Sequence, residues 1–275
     1  MPPIDTTDAT PEPYLVADAF ADYRDDPDFV TSLARGLAVM LAFSTKRGRM
    51  TIAQVSQCTG IPRAAVRRSL HTLATLGFAA VDESGHFHLR PRVLSISHAY
   101  LSTSHLPLLA QPVLNRLGDT LNEACSLAIL DEGEIVYLAR SASSRIMSPA
   151  LNVGRRLPAY CTSIGQVMLA HLPPSELDDY LQRARLHRYT EHTVTSTKQL
   201  LALLKKVRDA GHAVASQQME SRLCTLAVPV RNTSGRFVAG MNVILRRPLP
   251  ERDMVGRFLE PLQSAAAELG SLLLP

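Results

Sequence analysis

Residues 51–78, TIAQVSQCTGIPRAAVRRSLHTLATLGF, constrain the fold of this chain more than any other stretch. Their apolar spacing describes two short helices joined by a turn at Gly60. Thr51 with Gln54 three residues on forms a T-x-x-Q capping box that opens the first helix. Gly60 adopts a left-handed turn at little cost, and Pro62, at a first helical position, lacks only an N–H that would have no partner there. In the second helix Val66, Leu70 and Leu73 repeat at spacings of four and three, which predicts a buried stripe continued by Leu76 and Phe78. Ala64, Arg67, Arg68 and His71 fall on the opposite face, and Arg63 sits in the exposed first turn. A helix that presents guanidinium groups beside small Ala64 and Ala65 can lie close in a major groove, where arginine suits phosphates and the O6/N7 edge of guanine. A solvated basic helix in an ordinary bundle would carry the same charges. The six-residue spacing from Gly60 to Val66 favours the helix-turn-helix.

The flanks extend this unit to a winged module over residues 29–91. Ala79, Val81, Phe87 and Leu89 bracket a polar DESG tip, the pattern of a short β-hairpin. Asp82 and Glu83 at that tip repel phosphates, so backbone contact falls to His86, His88 and Arg90. Upstream, Val30, Leu33, Leu37, Met40 and Leu41 predict the buried stripe of a supporting helix. The net charge of the 275-residue chain is only +4, which excludes a general nucleic-acid coater. From Arg35 to Arg92, however, nine Lys and Arg face two acids, Asp82 and Glu83, so counterion release would favour DNA locally.

The length allows about two domains. Residues 1–28, rich in Pro, Asp and Thr and net acidic, read as a flexible arm; packing on a partner subunit through Tyr14, Leu15, Val16 and Phe20 is the alternative. A linker helix is expected over 92–106, with Val93, Ile96 and Tyr100 at helical spacing and Pro107 interrupting. An effector domain follows over 107–275. Its first helix carries Leu109, Val113, Leu117 and Leu121, and from Ala124 the period changes to two. CSLAIL, an Asp-Glu-Gly turn and EIVYLAR read as a hairpin, and later strands are expected at 212–219, 223–231 and 237–246. Helices lie between, with stripes Ile164, Val167, Met168, Leu172 and Leu200, Leu203, Leu204, Val207, and a last helix starts near Glu251. Strands, helices and strands around one antiparallel sheet make an α+β fold. The four cysteines, Cys58, Cys125, Cys161 and Cys224, are widely separated without ligand or disulfide spacing. No apolar run approaches the roughly 18 residues of a membrane span, and no signal core opens the chain. A cytoplasmic protein without metal or cofactor is expected.

SLARGLAVMLAF, TGIPRAAVRRSLHTLATLGF, PRVLSISHAYL, SLAILDEGEIVYLAR and VGRRLPAYCTSIGQVMLA occur in the order found in IclR-type transcriptional regulators, which this chain resembles over nearly everything after the arm. RIMSPALNVGRRLPAYCTSIG, residues 145–165, looks most like the branch controlling aromatic-acid catabolism through the β-ketoadipate pathway. The resemblance implies a winged helix-turn-helix that dimerises and binds an operator in double-stranded DNA, placing Thr51, Pro62, Arg63, Ala64, Arg67, Arg68, His71 and Arg90 at that interface. It also implies a GAF-like effector domain that binds a small carboxylic acid and assembles dimers of dimers. A homodimer or homotetramer is therefore expected, with RNA polymerase a further candidate partner.

Carried over residue by residue, the family's effector contacts put a helix start at Ser163 and Ile164, apolar walls at Ile146, Pro149 and Leu157, and polar contacts at Thr225 and Asn242. Tyr160, Met147 and Met219 are added for ring contact. A helix opening at Thr162, Ser163, Ile164, Gly165 and Gln166 offers unpartnered N–H groups to a carboxylate, and Gly165 allows close approach. An ordinary helix start facing water is the alternative. Where relatives commonly read DQELEPGLRSIAVPV, this chain has SQQMESRLCTLAVPV at 216–230. Ser216 and Gln218 replace two acids, easing a dianion's entry, and Arg222 replaces a glycine, either to clamp a second carboxylate or to sit on the surface.

Two other function classes compete. Cys161 beside a helix start could be a low-pKa nucleophile with His171 or His187 as base, although no spacing motif supports the pairing. A DNA-binding protein whose second domain only assembles subunits is the other, and a rise in melting temperature with a candidate acid separates it from a sensor.

Overall fold

The computed structural model describes residues 20, 23, 25–44, 48–141 and 152–275, and the chain divides into two compact units at Ala99/Tyr100. The first unit holds α1 (Thr31–Leu41), α2 (Ile52–Thr59), α3 (Arg63–Thr75), and a hairpin of β1 (Ala79–Val81) and β2 (Phe87–Leu89). The capping box is formed from both sides: Gln54 N–H donates to Thr51 Oγ1 at 3.3 Å and Thr51 N–H to Gln54 Oε1 at 2.8 Å. Gly60 turns the chain at φ 69°, and Ser56 Oγ reaches across the turn to Ile61 O at 2.7 Å. Pro62 is the N-cap, not the first helical residue, so Arg63 opens α3. Val39, Met50, Val55, Ile61, Val66 and Leu70 are fully buried together, each large aliphatic contributing roughly 1.5–3 kcal/mol. In the wing Ala79 pairs with Leu89 and Val81 with Phe87, while Met50 bridges Phe87 from the other side.

Two expectations fail here. Val30, Leu33, Leu37 and Leu41 do share one face of α1, but it is the outward face, Leu33 being 61% exposed. The buried residues are Ala38 and Val39, continued by Ala42 and Phe43, because small side chains let α1 lie close on α3. Leu76 is likewise exposed, since α3 has ended at Thr75 and Gly77 turns the chain at φ 80°.

The expected linker is α4 (Leu94–Thr103), which spans the division between the units and buries no residue within the chain. The break after it lies at Ser104, in extended geometry, so α5 (His105–Leu121) begins before Pro107. Proline there falls in a first turn, where no N–H is required. Of residues 1–28 few are described: Phe20 packs against the first unit's core, and Tyr23 stacks on Phe29 at 4.9 Å. Tyr14, Leu15 and Val16 lie outside the described residues.

The second unit is a six-stranded antiparallel sheet between helical layers, in the order β5-β4-β3-β8-β7-β6. Its strands are β3 (Ala124–Asp131), β4 (Glu134–Arg140), β5 (Arg156–Pro158), β6 (Ala213–Ser216), β7 (Cys224–Arg231) and β8 (Phe237–Leu245). The Glu132-Gly133 turn joins β3 to β4 with both residues at positive φ, matching the strand twist. Alternation along the strands separates two cores. Cys125, Leu127, Leu226, Met241 and Val243 pack on α5 and α9 (Glu251–Leu272) through Leu114, Phe258 and Leu262. Ala124, Ala128, Ile135, Ala227 and Ile244 face α6 (Ser163–Ala170) and α8 (Thr197–Ala210) through Ile164, Val167, Leu200 and Leu204. Periodicity did not predict β5, at three residues too short for a pattern, or α7 (Pro174–Arg183), which has Pro174 in its first turn and one buried residue, Leu177.

Candidate functional site

α3 presents a bare basic face. Arg63, Ala64, Arg67, Arg68 and His71 are exposed while Val66 and Leu70 hold the helix down, and among the described residues no carboxylate pairs with the three arginines. Pro62 and Arg90 are exposed as well. Thr51 is half-buried with its hydroxyl engaged by the cap, so its contribution is to hold α2. At the wing tip Asp82 pairs with Arg49 at 3.2 Å. The backbone N–H of His86, then that of Ser84 and the nearby His86 and Arg49 charges, hold its carboxyl below the ordinary value. Part of the tip's negative charge is thus locally offset.

The second constellation lies between α6 and the sheet. All eight residues of α6 are buried. Thr162 caps it, its hydroxyl accepting from Gly165 N–H at 3.2 Å, and among the described residues no acceptor meets the Ser163 and Ile164 amides. Ser163 Oγ is also buried without a partner, as are Asn242 Oδ1, Ser126 Oγ and Gln166 Oε1. A cavity of about 30 Å³ is lined here by Tyr137, Leu157, Ser163, Met219, Thr225 and Asn242, with Cys161, Thr162, Ala215, Gln218, Leu223 and Ile244. That holds about one water. Cys161 Sγ donates to Met219 Sδ at 2.9 Å, while Gln166 Nε2 donates to Gln218 Oε1 at 3.1 Å and latches the 217–219 segment to α6.

The structure thus brings together Leu157, Ser163, Met219, Thr225 and Asn242. Ile164 packs on the sheet instead, its Cγ2 2.7 Å from where a Cβ on Gly240 would lie. Gly165 does permit a close approach, but by the preceding turn: a Cβ there would be 2.1 Å from Ala159 O. Tyr160 faces an outer cleft of about 980 Å³ beside α7, and its hydroxyl donates to His187 O at 2.7 Å. Ile146, Met147 and Pro149 lie outside the described residues. Arg222 is exposed at φ 69°, a left-handed geometry that suits the glycine it replaces. Tyr137, Ser126 and Gln166 carried no motif in the sequence; only strand register and helix packing gather them. Burial pushes the Cys161 thiol up to about 12, and His171 bonds Val167 O and packs on Phe237, so no activated thiolate arises.

Residues 32–83 match the IclR helix-turn-helix domain and residues 98–271 the bacterial transcriptional regulator IclR C-terminal domain. The chain is 45% identical to the Pca regulon regulatory protein of Pseudomonas putida, over 90% of this chain and 85% of that protein. It is 36% identical to the p-hydroxybenzoate hydroxylase transcriptional activator of Acinetobacter baylyi, over 90% and 93%. A crystal structure of an IclR homolog complexed with 4-hydroxybenzoate, from Microbacterium hydrocarbonoxydans, superposes with a TM-score of 0.71 at 25% identity, covering 87% of this chain and 97% of that one. With a bare arginine face on α3 and a small enclosed cavity under α6, the chain belongs to the IclR family of transcriptional regulators, in the branch governing aromatic-acid catabolism.

Proposed function

We propose that the protein binds its operator through α3 and the wing, and that a small carboxylic acid, aromatic or β-ketoadipate-like, occupies the cavity at the start of α6. The observation that carries the effector half is the set of unmet polar atoms there: the Ser163 and Ile164 amides, Ser163 Oγ and Asn242 Oδ1, all buried. A carboxylate accepts from the amides and the hydroxyl and lies at the positive end of the helix dipole. Thr225 and Leu157 line the body of the ligand, and Met219 moves to admit it, since about 30 Å³ holds no ring. The site offers amide and hydroxyl donors and enclosure but no activated nucleophile, the Cys161 thiol being held protonated by burial, in keeping with relatives that are named as regulators.

The protomers pair through the outward apolar faces of α1 and α4. Val30 with Leu33, Leu37 and Leu41 of α1, and Ile96 with Tyr100 of α4, are each about half exposed or more in the single chain, a liability that a second copy removes. The linker α4 transmits the ligand signal, because transcription responds only if bound and free states position the two reading heads differently. Residence in the cytoplasm beside the genome follows from the DNA partner; among the described residues no helix is long and apolar enough to cross a membrane. Calorimetric titration with 4-hydroxybenzoate, protocatechuate and β-ketoadipate, followed by operator binding with any acid that gives heat, tests the reading. Heat with at least one and a changed operator affinity are expected; no heat with all three would remove the effector assignment.

A further inference from the structure

On the α6 side of the sheet one cross-strand rung runs Arg140, Ser126, Asn242, Ala227, since Ser126 pairs with Arg140 on β4 and with Asn242 on β8, and Asn242 with Ala227 on β7. Residues opposite one another in an antiparallel pair point to the same face, so Ser126 stands beside Asn242, which lines the cavity. They are 0% and 2% exposed. The Asn242 side chain lies near the Tyr137 hydroxyl, which stands two strands away on β4, yet its Oδ1 and the Ser126 hydroxyl have no partner. A carboxylate docked on Ser163 and the α6 amides carries only acceptor oxygens and so does not satisfy the Asn242 carbonyl oxygen. The sheet side therefore asks for a polar group of its own.

Resting on the effector reading above, we propose that Ser126, with Asn242 and Tyr137, selects acids that carry a second oxygen function, a hydroxyl or a second carboxylic group, beyond the carboxylate held at α6. A hydroxyl both donates to the Asn242 oxygen and accepts from the Ser126 hydroxyl. A second carboxylic group accepts from Ser126 and from the Asn242 amide once that side chain turns over, with the Arg140 guanidinium on the same rung to favour its charge. An acid with one polar end leaves the rung buried and unmet, and such sites reject analogues lacking the matching group far more sharply than apolar pockets do.

The test is titration of the full-length protein with two pairs of acids, benzoate against 4-hydroxybenzoate and hexanoate against adipate, in the wild type and in Ser126→Ala. In at least one pair the bifunctional member binds the wild type at least about tenfold tighter, and which pair shows it identifies the hydroxyl or the second carboxylate as the group read. Ser126→Ala lowers affinity for that member severalfold and leaves its monofunctional counterpart unchanged. Without ligand the variant's melting temperature is unchanged or raised, because an unmet buried hydroxyl has been removed. Equal binding within both pairs, or an equal loss for both members in the variant, would overturn the proposal while leaving the effector site in place. So would a large fall in the melting temperature of the unliganded variant, which would mean that the hydroxyl already has a partner. No binding of any of the four acids would overturn this selection, and the titration with protocatechuate and β-ketoadipate described above decides separately whether the effector reading falls with it.

Discussion

α3 and α6 are both short, both begin at the residue after an extended cap, and both carry the chemistry of their unit, yet they relate to water in opposite ways. α3 buries only Val66 and Leu70 and turns Arg63, Arg67 and Arg68 outward, whereas α6 buries every one of its eight residues. A helix that meets a large partner from solution must keep its functional face free of the core. One that encloses a small acid must bring its amides into a dry place, where a charge-assisted hydrogen bond is strong and an unmet one is costly. Periodicity therefore reports function on α3 and reports only burial on α6.

Matched substitutions break this contrast most visibly. Gly165→Ala places a methyl 2.1 Å from the Ala159 carbonyl oxygen, backbone that cannot yield, and is expected to cost about 3 kcal/mol or more. Ala64→Val, adding methyl groups on the exposed face of α3, should stay within about 0.5 kcal/mol; thermal melts of both check the pair, and equal losses would erase the distinction. Next in size, Arg67→Ala is expected to weaken operator binding by roughly 1–3 kcal/mol, selectively if it reads a base. An equal loss on random DNA in the same titration would make it a phosphate contact.

Smaller still is Arg222→Gly. Relief of the φ 69° backbone should raise stability by roughly 0.5–1 kcal/mol in chemical denaturation, and a loss would show that the arginine has a structural task of its own. The smallest signal is chemical. Burial pushes the Cys161 thiol up from the ordinary thiol range to about 12, so the protonated form is favoured by the fold; that contribution is fully present below the ordinary thiol range and is lost as the pH climbs through about 12. At pH 8 only about one molecule in ten thousand carries the thiolate, and Cys161 should resist alkylation in the native protein while half-buried Cys58 reacts first; mass spectrometry of the labelled protein decides the order.

How much was legible follows the same line. The turn at Gly60, the Thr51 cap, the stripe of α3 and most of the effector strands rest on local chemistry, and local chemistry is written in sequence. The face of α1 was misassigned because Val30, Leu33, Leu37 and Leu41 form a valid stripe whichever way it points, and direction is set by a second body. Leu157, Ser163, Thr225 and Asn242 were reachable only through family resemblance, since nothing in their spacing draws them together. Tyr160 was placed at the ring although its hydroxyl bonds His187 O on the side of the outer cleft, and a phenol's direction leaves no trace in the pattern. Ser126 and Tyr137 passed unnoticed because their meaning depends on strand register, two and three strands deep.

A void that fits a single water has a temporal consequence. Whatever ring or chain settles between α6 and the sheet must wait until the stretch around Met219, latched by Gln166 to Gln218, swings aside, so uptake would level off at high dose at the speed of that opening. A sensor built in this way averages over the fluctuations of its surroundings and answers to a sustained supply.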